Sequence, residues 1–253
     1  MNVDLLTCGL NGKSDHFLFG VPSMGLITDG KTNILFDAGP SRMRGFLQRT
    51  LGERGMTTDD IDYVFISHCH WDHVINVDLF RKSTILMARS EYESARHLPE
   101  NNWAIPPFLY ELCRGLKLEL LEDEEAELFP GVRNVLLPGH SCGTQGLLIE
   151  TETLGKVLFA ADAVWSARAV IRGRPDLTFF DMPLTEKSVQ KAVAISDVIV
   201  PGHDRPFRVV NGAIEYFTDA SYHFSFAFDP AGGDFELSVS TGPQAVASKY
   251  FTL

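Results

Sequence analysis

Along the chain, short apolar runs alternate with turn-forming residues, and only a few stretches carry helical spacing. Residues 3–8 are apolar-rich and Met24–Thr28 follows. Asp29-Gly30 then turns the chain into Asn33–Phe36, a pattern of short strands joined by tight turns. Met43, Phe46, Leu47 and Leu51 recur at helical spacing, with Gly52 and Gly55 closing that helix. Residues 63–67 read as a buried strand, and Ser90 with Glu93 forms a capping box that predicts a helix to about His97. Further strands are expected at 132–137, 146–150 and 156–160, the last two joined as a hairpin by Gly155. Thr185 is expected to cap a helix running to about Ile195, and 197–200 predicts another buried strand. In the tail Phe224, Phe226 and Phe228 alternate, as do Phe235, Leu237 and Val239, like half-buried strands. No glycine-rich phosphate loop follows the first strand, which argues against a dinucleotide-binding fold. An α+β chain of two mixed sheets packed face to face and covered by helices fits better.

Composition narrows the class of partner. Apolar residues are 45% and charged residues 22% of the 253, which excludes disordered and fibrous chains. Thirty-three acidic against 22 basic residues give a net charge of −11. Such a surface repels phosphate backbones and anionic membranes, so a small molecule is the expected partner, with neither nucleic acid nor membrane. The opening Met1-Asn2-Val3-Asp4 lacks the basic, apolar and small-residue order of a secretory leader. Cys8, Cys69, Cys113 and Cys142 are too scattered for a disulfide framework, so a cytoplasmic location is expected.

The chemistry concentrates at Ile66-Ser67-His68-Cys69-His70-Trp71-Asp72-His73, where three of the eight histidines follow an apolar strand. In an extended segment His68 and His70 project to one side and Cys69 and Trp71 to the other. Imidazoles beside a carboxylate suit a borderline metal such as zinc. Without a metal, burying them together leaves several polar groups unpaired. Three more strand ends carry comparable residues: Pro138-Gly139-His140, Ala160-Ala161-Asp162 and Pro201-Gly202-His203. Strand-end loops on a rigid scaffold are where binding residues collect.

At these residues the sequence resembles the metallo-β-lactamase superfamily, whose signature is His-x-His-x-Asp-His followed by a later His, an Asp and a final His. His68, His70, Asp72, His73, His140, Asp162 and His203 fill every position, over roughly residues 3–205. Asp37 resembles the family's early aspartate, which buttresses the ligand loop. The resemblance implies an αββα sandwich, with residues 1–210 as the hydrolase domain and 211–253 as an aromatic-rich strand extension of it. It also implies two divalent cations, zinc first, with manganese or iron as alternatives. His68, His70 and His140 would hold one ion, Asp72, His73 and His203 the other, and Asp162 both. The implied chemistry is attack of a metal-bound hydroxide on the carbonyl of a small lactone or ester, with Asp72 as the catalytic carboxylate that orients it and passes on its proton.

Within the superfamily, the quorum-signal and small-lactone lactonases share the short length, the Ser-His-x-His-x-Asp-His run and the Pro-Gly-His-Ser turn. They usually place tyrosine two residues after the bridging aspartate, where this chain has Val164 and then Trp165. Alternatives are a sulfur dioxygenase using one iron at His68, His140 and Asp162, and a thioesterase or phosphodiesterase. Residues 197–210 also resemble a compact animal branch linked to RNA processing. Residues 97–112, with Trp103, Ile105, Pro106, Pro107, Phe108, Leu109 and Tyr110, read equally as an apolar lid and as a helix hairpin on the core. His16 is the candidate outside the motif, because residues 11–22 are placed to flank the site; His97 and His223 lack motif partners. Cys142 reads either as a pocket residue or as a structural thiol. The tail's alternating aromatics point either to a homodimer interface or to a sheet completed within the chain.

Overall fold

The structure is a computed structural model. It describes residues 1–13, 15–16, 18–97, 102–122, 124–175, 177–219, 221–227 and 234–240. In chain order the first half contains β1 (Asn2–Thr7), β2 (Leu10–Lys13), β3 (Leu18–Val21), β4 (Met24–Thr28), β5 (Asn33–Phe36) and helix α1 (Arg44–Gly52). There follow β6 (Tyr63–Ile66), α2 (Trp71–Val74), β7 (Thr84–Ala88), α3 (Arg89–Ser94), α4 (Leu109–Leu112) and β8 (Lys117–Leu121). The second half contains β9 (Glu127–Phe129), β10 (Val132–Leu136), β11 (Gln145–Thr151), β12 (Gly155–Ala161), α5 (Ala167–Arg172) and α6 (Met182–Ile195). It ends with β13 (Val198–Pro201), β14 (Phe207–Val210), β15 (Ala213–Tyr216), β16 (Ser221–Ala227) and β17 (Asp234–Ser240).

Two sheets result. One has the order β1-β4-β5-β6-β7-β8 and the other β15-β14-β13-β12-β11-β10-β9, both mixing parallel and antiparallel pairs. Period-two alternation decides how they stack. Ile34, Phe36, Phe65 and Leu86 share one buried cluster with Val157, Phe159, Val198 and Val200, so these faces of the two sheets meet. The intervening Leu35, Val64, Ile66, Ile85 and Met87 point the other way and pack with Leu47 and Leu51 of α1. On the far side, Leu158, Ala160 and Ile199 pack with Val189 and Ala192 of α6. The layers are therefore helix, sheet, sheet, helix. Phe159 locks the two sheets: its ring lies 5.0 Å from that of Phe36, over Gly25, where a Cβ would come within 2.4 Å of it.

The expected strands and α1 lie where periodicity puts them, but two helix starts differ. α6 begins at Met182, because Asp181 caps it by accepting from Leu184 N–H at 2.7 Å, with Pro183 in the first turn. Thr185 is one turn inside, donating its hydroxyl to Asp181 O at 2.8 Å. α3 begins at Arg89 with Ala88 at its N-cap, so Ser90 lies inside the helix and not at the cap. The expected tail strands are present as β16 and β17, paired with each other; Phe228 lies outside the described residues. The second sheet runs through β15 to Tyr216, past residue 210. No helix among the described residues is long and apolar enough to cross a membrane.

Candidate metal centre

Because β10, β12 and β13 run in the same direction and β5 and β6 are parallel, their C-terminal ends deliver chemistry to one end of the sandwich. The turn after β6 brings His68, His70, Asp72 and His73. The loop after β10 brings His140, the end of β12 brings Asp162, and the end of β13 brings His203. All seven meet in two groups: His68, His70, His140 and Asp162, and beside them Asp72, His73 and His203. Only Asp72 is not buried.

Asp162 stands between the groups. Its Oδ2 lies 3.3 Å from His140 Nε2 and 3.8 Å from His68 Nε2, while its Oδ1 lies 3.3 Å from His73 Nε2 and 3.4 Å from His203 Nε2. Asp72 Oδ2 is 3.3 Å from His203 Nε2 and its Oδ1 is 3.8 Å from His73 Nε2. Backbone strain and close approach hold this arrangement. Ala161 has φ +46° and Asp37 φ +58°, both costly for a residue with a Cβ. A Cβ on Gly202 would stand 2.0 Å from Asp162 Oδ1. Only glycine lets the β13 turn approach that carboxylate.

Four of the five imidazoles are aimed by a bond on the other nitrogen. His73 Nδ1–H donates to Asp37 Oδ2 at 2.7 Å. The Ser67 hydroxyl donates to Asp37 Oδ2 at 2.9 Å and so accepts from His68 Nδ1–H at 3.0 Å. His140 Nδ1–H points to Leu177 O at 3.2 Å and His203 Nδ1–H to Leu10 O at 3.4 Å. All four Nε2 atoms are thereby left as lone pairs facing the interior of the cluster. His70 presents Nδ1 instead, 3.0 Å from His140 Nε2.

These contacts test whether the residues fit a metal. Buried His68 Nε2, His73 Nε2, His203 Nε2 and Asp162 Oδ1 have no hydrogen-bond partner among the described residues. Four such atoms at one point are expensive unless cations fill the space between them. The donor set is nitrogen and carboxylate oxygen, suited to zinc and to its neighbours among divalent ions. The residues fit.

Without cations, protons are the only available counter-charge. Burial opposes charge on His73, yet Asp162, Asp72 and Asp37 outweigh it and hold His73 well above the ordinary histidine value. Burial likewise opposes charge on His203, but Asp162 and Asp72 push it up to about 10. Burial and the neighbouring imidazoles hold His68 and His70 well below it. Asp162, although buried, lies well below the usual carboxylate range because His203, His73 and His140 face it. Burial also opposes charge on Asp72, but His73 and His203 keep it ionised.

Beside the cluster opens a cavity of about 230 Å³, whose walls include His70, Asp72, Asp162 and His203 together with Leu18, Phe19, Trp71, Trp103, Trp165 and Phe179. The described part of the 97–112 segment, residue 97 and residues 102–112, contributes to both the core and the cavity wall. Ile105 and Leu109 are in the core, whereas Trp103 is exposed at the cavity wall and packs edge-on against Phe179, 5.1 Å between centroids. His16 points to solvent beside Asp15 and is not a wall residue. His97 and His223 are exposed and outside the cluster. Cys142 does not reach the cavity; it lies 3.6 Å from Glu91 Oε1, and burial pushes its thiol up to about 11. Sequence reasoning missed Glu91. Fully buried, it accepts from Cys69 N–H at 3.0 Å and Gly143 N–H at 2.8 Å, tying the 68–73 turn to the His140 loop.

An αββα sandwich with five imidazoles and two carboxylates gathered at one end, one carboxylate between two ligand groups, is the architecture of the metallo-β-lactamase fold with a candidate metal centre at that end. The chain belongs to the metallo-beta-lactamase superfamily, whose family model matches residues 18–203. It is 31% identical to an N-acyl homoserine lactonase of Bacillus thuringiensis over 156 residues, 59% of this chain and 58% of the lactonase. It is 27% identical to metallo-beta-lactamase domain-containing protein 1 of Mus musculus over 195 residues, 74% of this chain and 65% of that one. The chain thus spans less than two thirds of the length of these relatives. Among solved structures, a B. thuringiensis AiiA variant with N-decanoyl-L-homoserine bound at its active site superposes with a TM-score of 0.62 at 25% identity, covering 75% of this chain and 86% of that one.

Proposed function

We propose that this protein is a dinuclear metal-dependent hydrolase that opens a small lactone or ester bearing an apolar or aromatic arm. The observation that carries the reading is the position of Asp162, one oxygen toward His68 and His140 and the other toward His73 and His203. Two divalent cations, zinc first, would supply Lewis acidity and a water acidic enough to be nucleophilic at neutral pH. The chain's residues supply the rest. Asp72, partly exposed at the cavity wall, would orient the attacking water and receive its proton. Asp37 and Ser67 fix the orientation of His73 and His68. Trp71, Trp103 and Phe179 exclude water and receive the apolar arm. Trp165, stacked on His203 with centroids 4.5 Å apart, stands in the wall near where the lactonases usually carry tyrosine. The lactonase relative and the ligand at the active site of the solved AiiA variant support a lactone or ester over other acyl substrates. A single-iron reading leaves Asp72, His73 and His203 gathered to no purpose.

The test is a turnover screen of purified, zinc-loaded protein across lactones, aryl esters, thioesters, amides and phosphodiesters. The expected result is hydrolysis of a lactone or ester that chelation abolishes and zinc restores. Undiminished turnover by chelated protein, or oxygen uptake with a persulfide as the only activity, would overturn it.

A further inference from the structure

The cavity wall carries a charge that ester or lactone opening does not itself require. Arg42 is the only lysine or arginine among the described residues lining it. Nearby arginines are engaged: Arg44 donates to both oxygens of Asp78 at 2.7 and 2.9 Å, Arg54 pairs with Asp4, and Arg49 lies 3.8 Å from Glu53. Arg42 has no hydrogen bond, ion pair or ring contact among the described residues.

Its backbone, in contrast, is firmly held. Asn76 Nδ2 donates to the carbonyls of Ala38, Gly39 and Pro40 at 3.0, 3.2 and 2.8 Å. The amides of Ala38 and Gly39 donate to the carbonyl of His73 at 2.8 and 3.1 Å. The turn Ser41–Met43 is therefore tied to the ligand loop, and it presents an unengaged guanidinium on a fixed base. In a chain with net charge −11 and abundant carboxylates, such a group beside a catalytic cavity awaits an anion from outside. Its planar fork matches a carboxylate. Apart from Asn11 and the cluster residues His70, Asp72, Asp162 and His203, the wall is largely apolar, through Leu18, Phe19, Trp103 and Phe179.

We propose that Arg42 forms an anion subsite, and that the ligand of this cavity is an amphiphile whose carboxylate pairs with Arg42 while its aryl or acyl arm lies on the aromatic wall. The placement of a scissile bond over the cluster rests on the hydrolase reading; the subsite itself is tested by binding alone. All three tryptophans of the chain, Trp71, Trp103 and Trp165, line the cavity, so their emission reports entry of a ligand.

Zinc-loaded protein is titrated with 4-phenylbutyrate and with the uncharged 4-phenylbutyramide while tryptophan fluorescence is followed. The acid is expected to bind about tenfold more tightly than the amide, the scale of one charge-assisted contact. Arg42→Met removes that preference and leaves amide affinity within about twofold, Arg42→Lys keeps part of it, and added salt weakens the acid selectively. A preference that survives Arg42→Met would place the carboxylate on the cations and overturn the proposal, as would a native protein with no preference. An Arg42-dependent preference in a protein that turns over no lactone or ester would uphold the subsite and sink the hydrolase reading alone.

Discussion

Replacing Asp37 by asparagine isolates one link between the scaffold and the candidate centre. Asp37 is fully buried and accepts from Ser67 N–H at 2.8 Å, the Ser67 hydroxyl at 2.9 Å and His73 Nδ1–H at 2.7 Å. Asparagine has the same shape, so it can keep the Ser67 amide bond through its oxygen. Its NH2 group then faces His73 Nδ1, which must become an acceptor. The ring proton moves to Nε2, the atom 3.3 Å from Asp162 Oδ1 and aimed into the Asp72, His73 and His203 group. A protonated Nε2 cannot ligate. Restoring the ligating tautomer sets N–H against N–H in a buried site and forfeits a charge-assisted bond of about 1.5–3 kcal/mol. At about 1.36 kcal/mol per decade this is a loss of about 10- to 100-fold in affinity for one of two cations, the range found when groups supporting a metal ligand are removed. Zinc competition against a chromophoric chelator resolves two binding steps. The step assigned to Asp72, His73 and His203 should worsen by that factor, and the His68, His70 and His140 step by less, because the carboxamide reaches His68 only through the Ser67 hydroxyl. Two unaltered steps, or equal weakening of both, would refute the reasoning that Asp37 acts through His73.

Further outcomes follow from the same geometry. Gly202→Ala places a methyl 2.0 Å from Asp162 Oδ1; zinc bound at saturation should fall, and Tm of the loaded protein should drop by several degrees, as read by calorimetry. Phe159→Ala empties the contact between the sheets and should lower stability by about 3–5 kcal/mol, seen as a shifted urea midpoint with unchanged slope. In cation-free protein, His203 is raised to about 10 and His73 is raised too, against about 6.5 when unfolded. Their stabilising protons are fully present below about pH 6.5 and are lost as pH rises through the folded value, so Tm should fall between about pH 7 and 10. Loaded protein should be flatter over that window, and a flat cation-free profile would contradict the assignment.

The sequence made the seven polar residues legible because each follows an apolar strand, and a strand's end is a fixed place. His68, His70, Asp72, His73, His140, Asp162 and His203 lie in two neighbouring groups. The layers were legible through alternation, as in Ile34, Leu35 and Phe36, which face inward, outward and inward. Tertiary bonds hid the rest. Glu91 reads as an ordinary helix glutamate until two backbone amides from distant loops converge on it. Thr185 satisfies itself on Asp181 O, leaving the cap to Asp181. Leu18, Phe19, Arg42 and Phe179 share no periodicity, and only folding brings them to one wall.

The most direct measurement is anomalous diffraction at the zinc edge from crystals of zinc-loaded protein. The account predicts two peaks per chain flanking Asp162, one among His68, His70 and His140 and the other among Asp72, His73 and His203. A single peak, or none at this cluster, would contradict it.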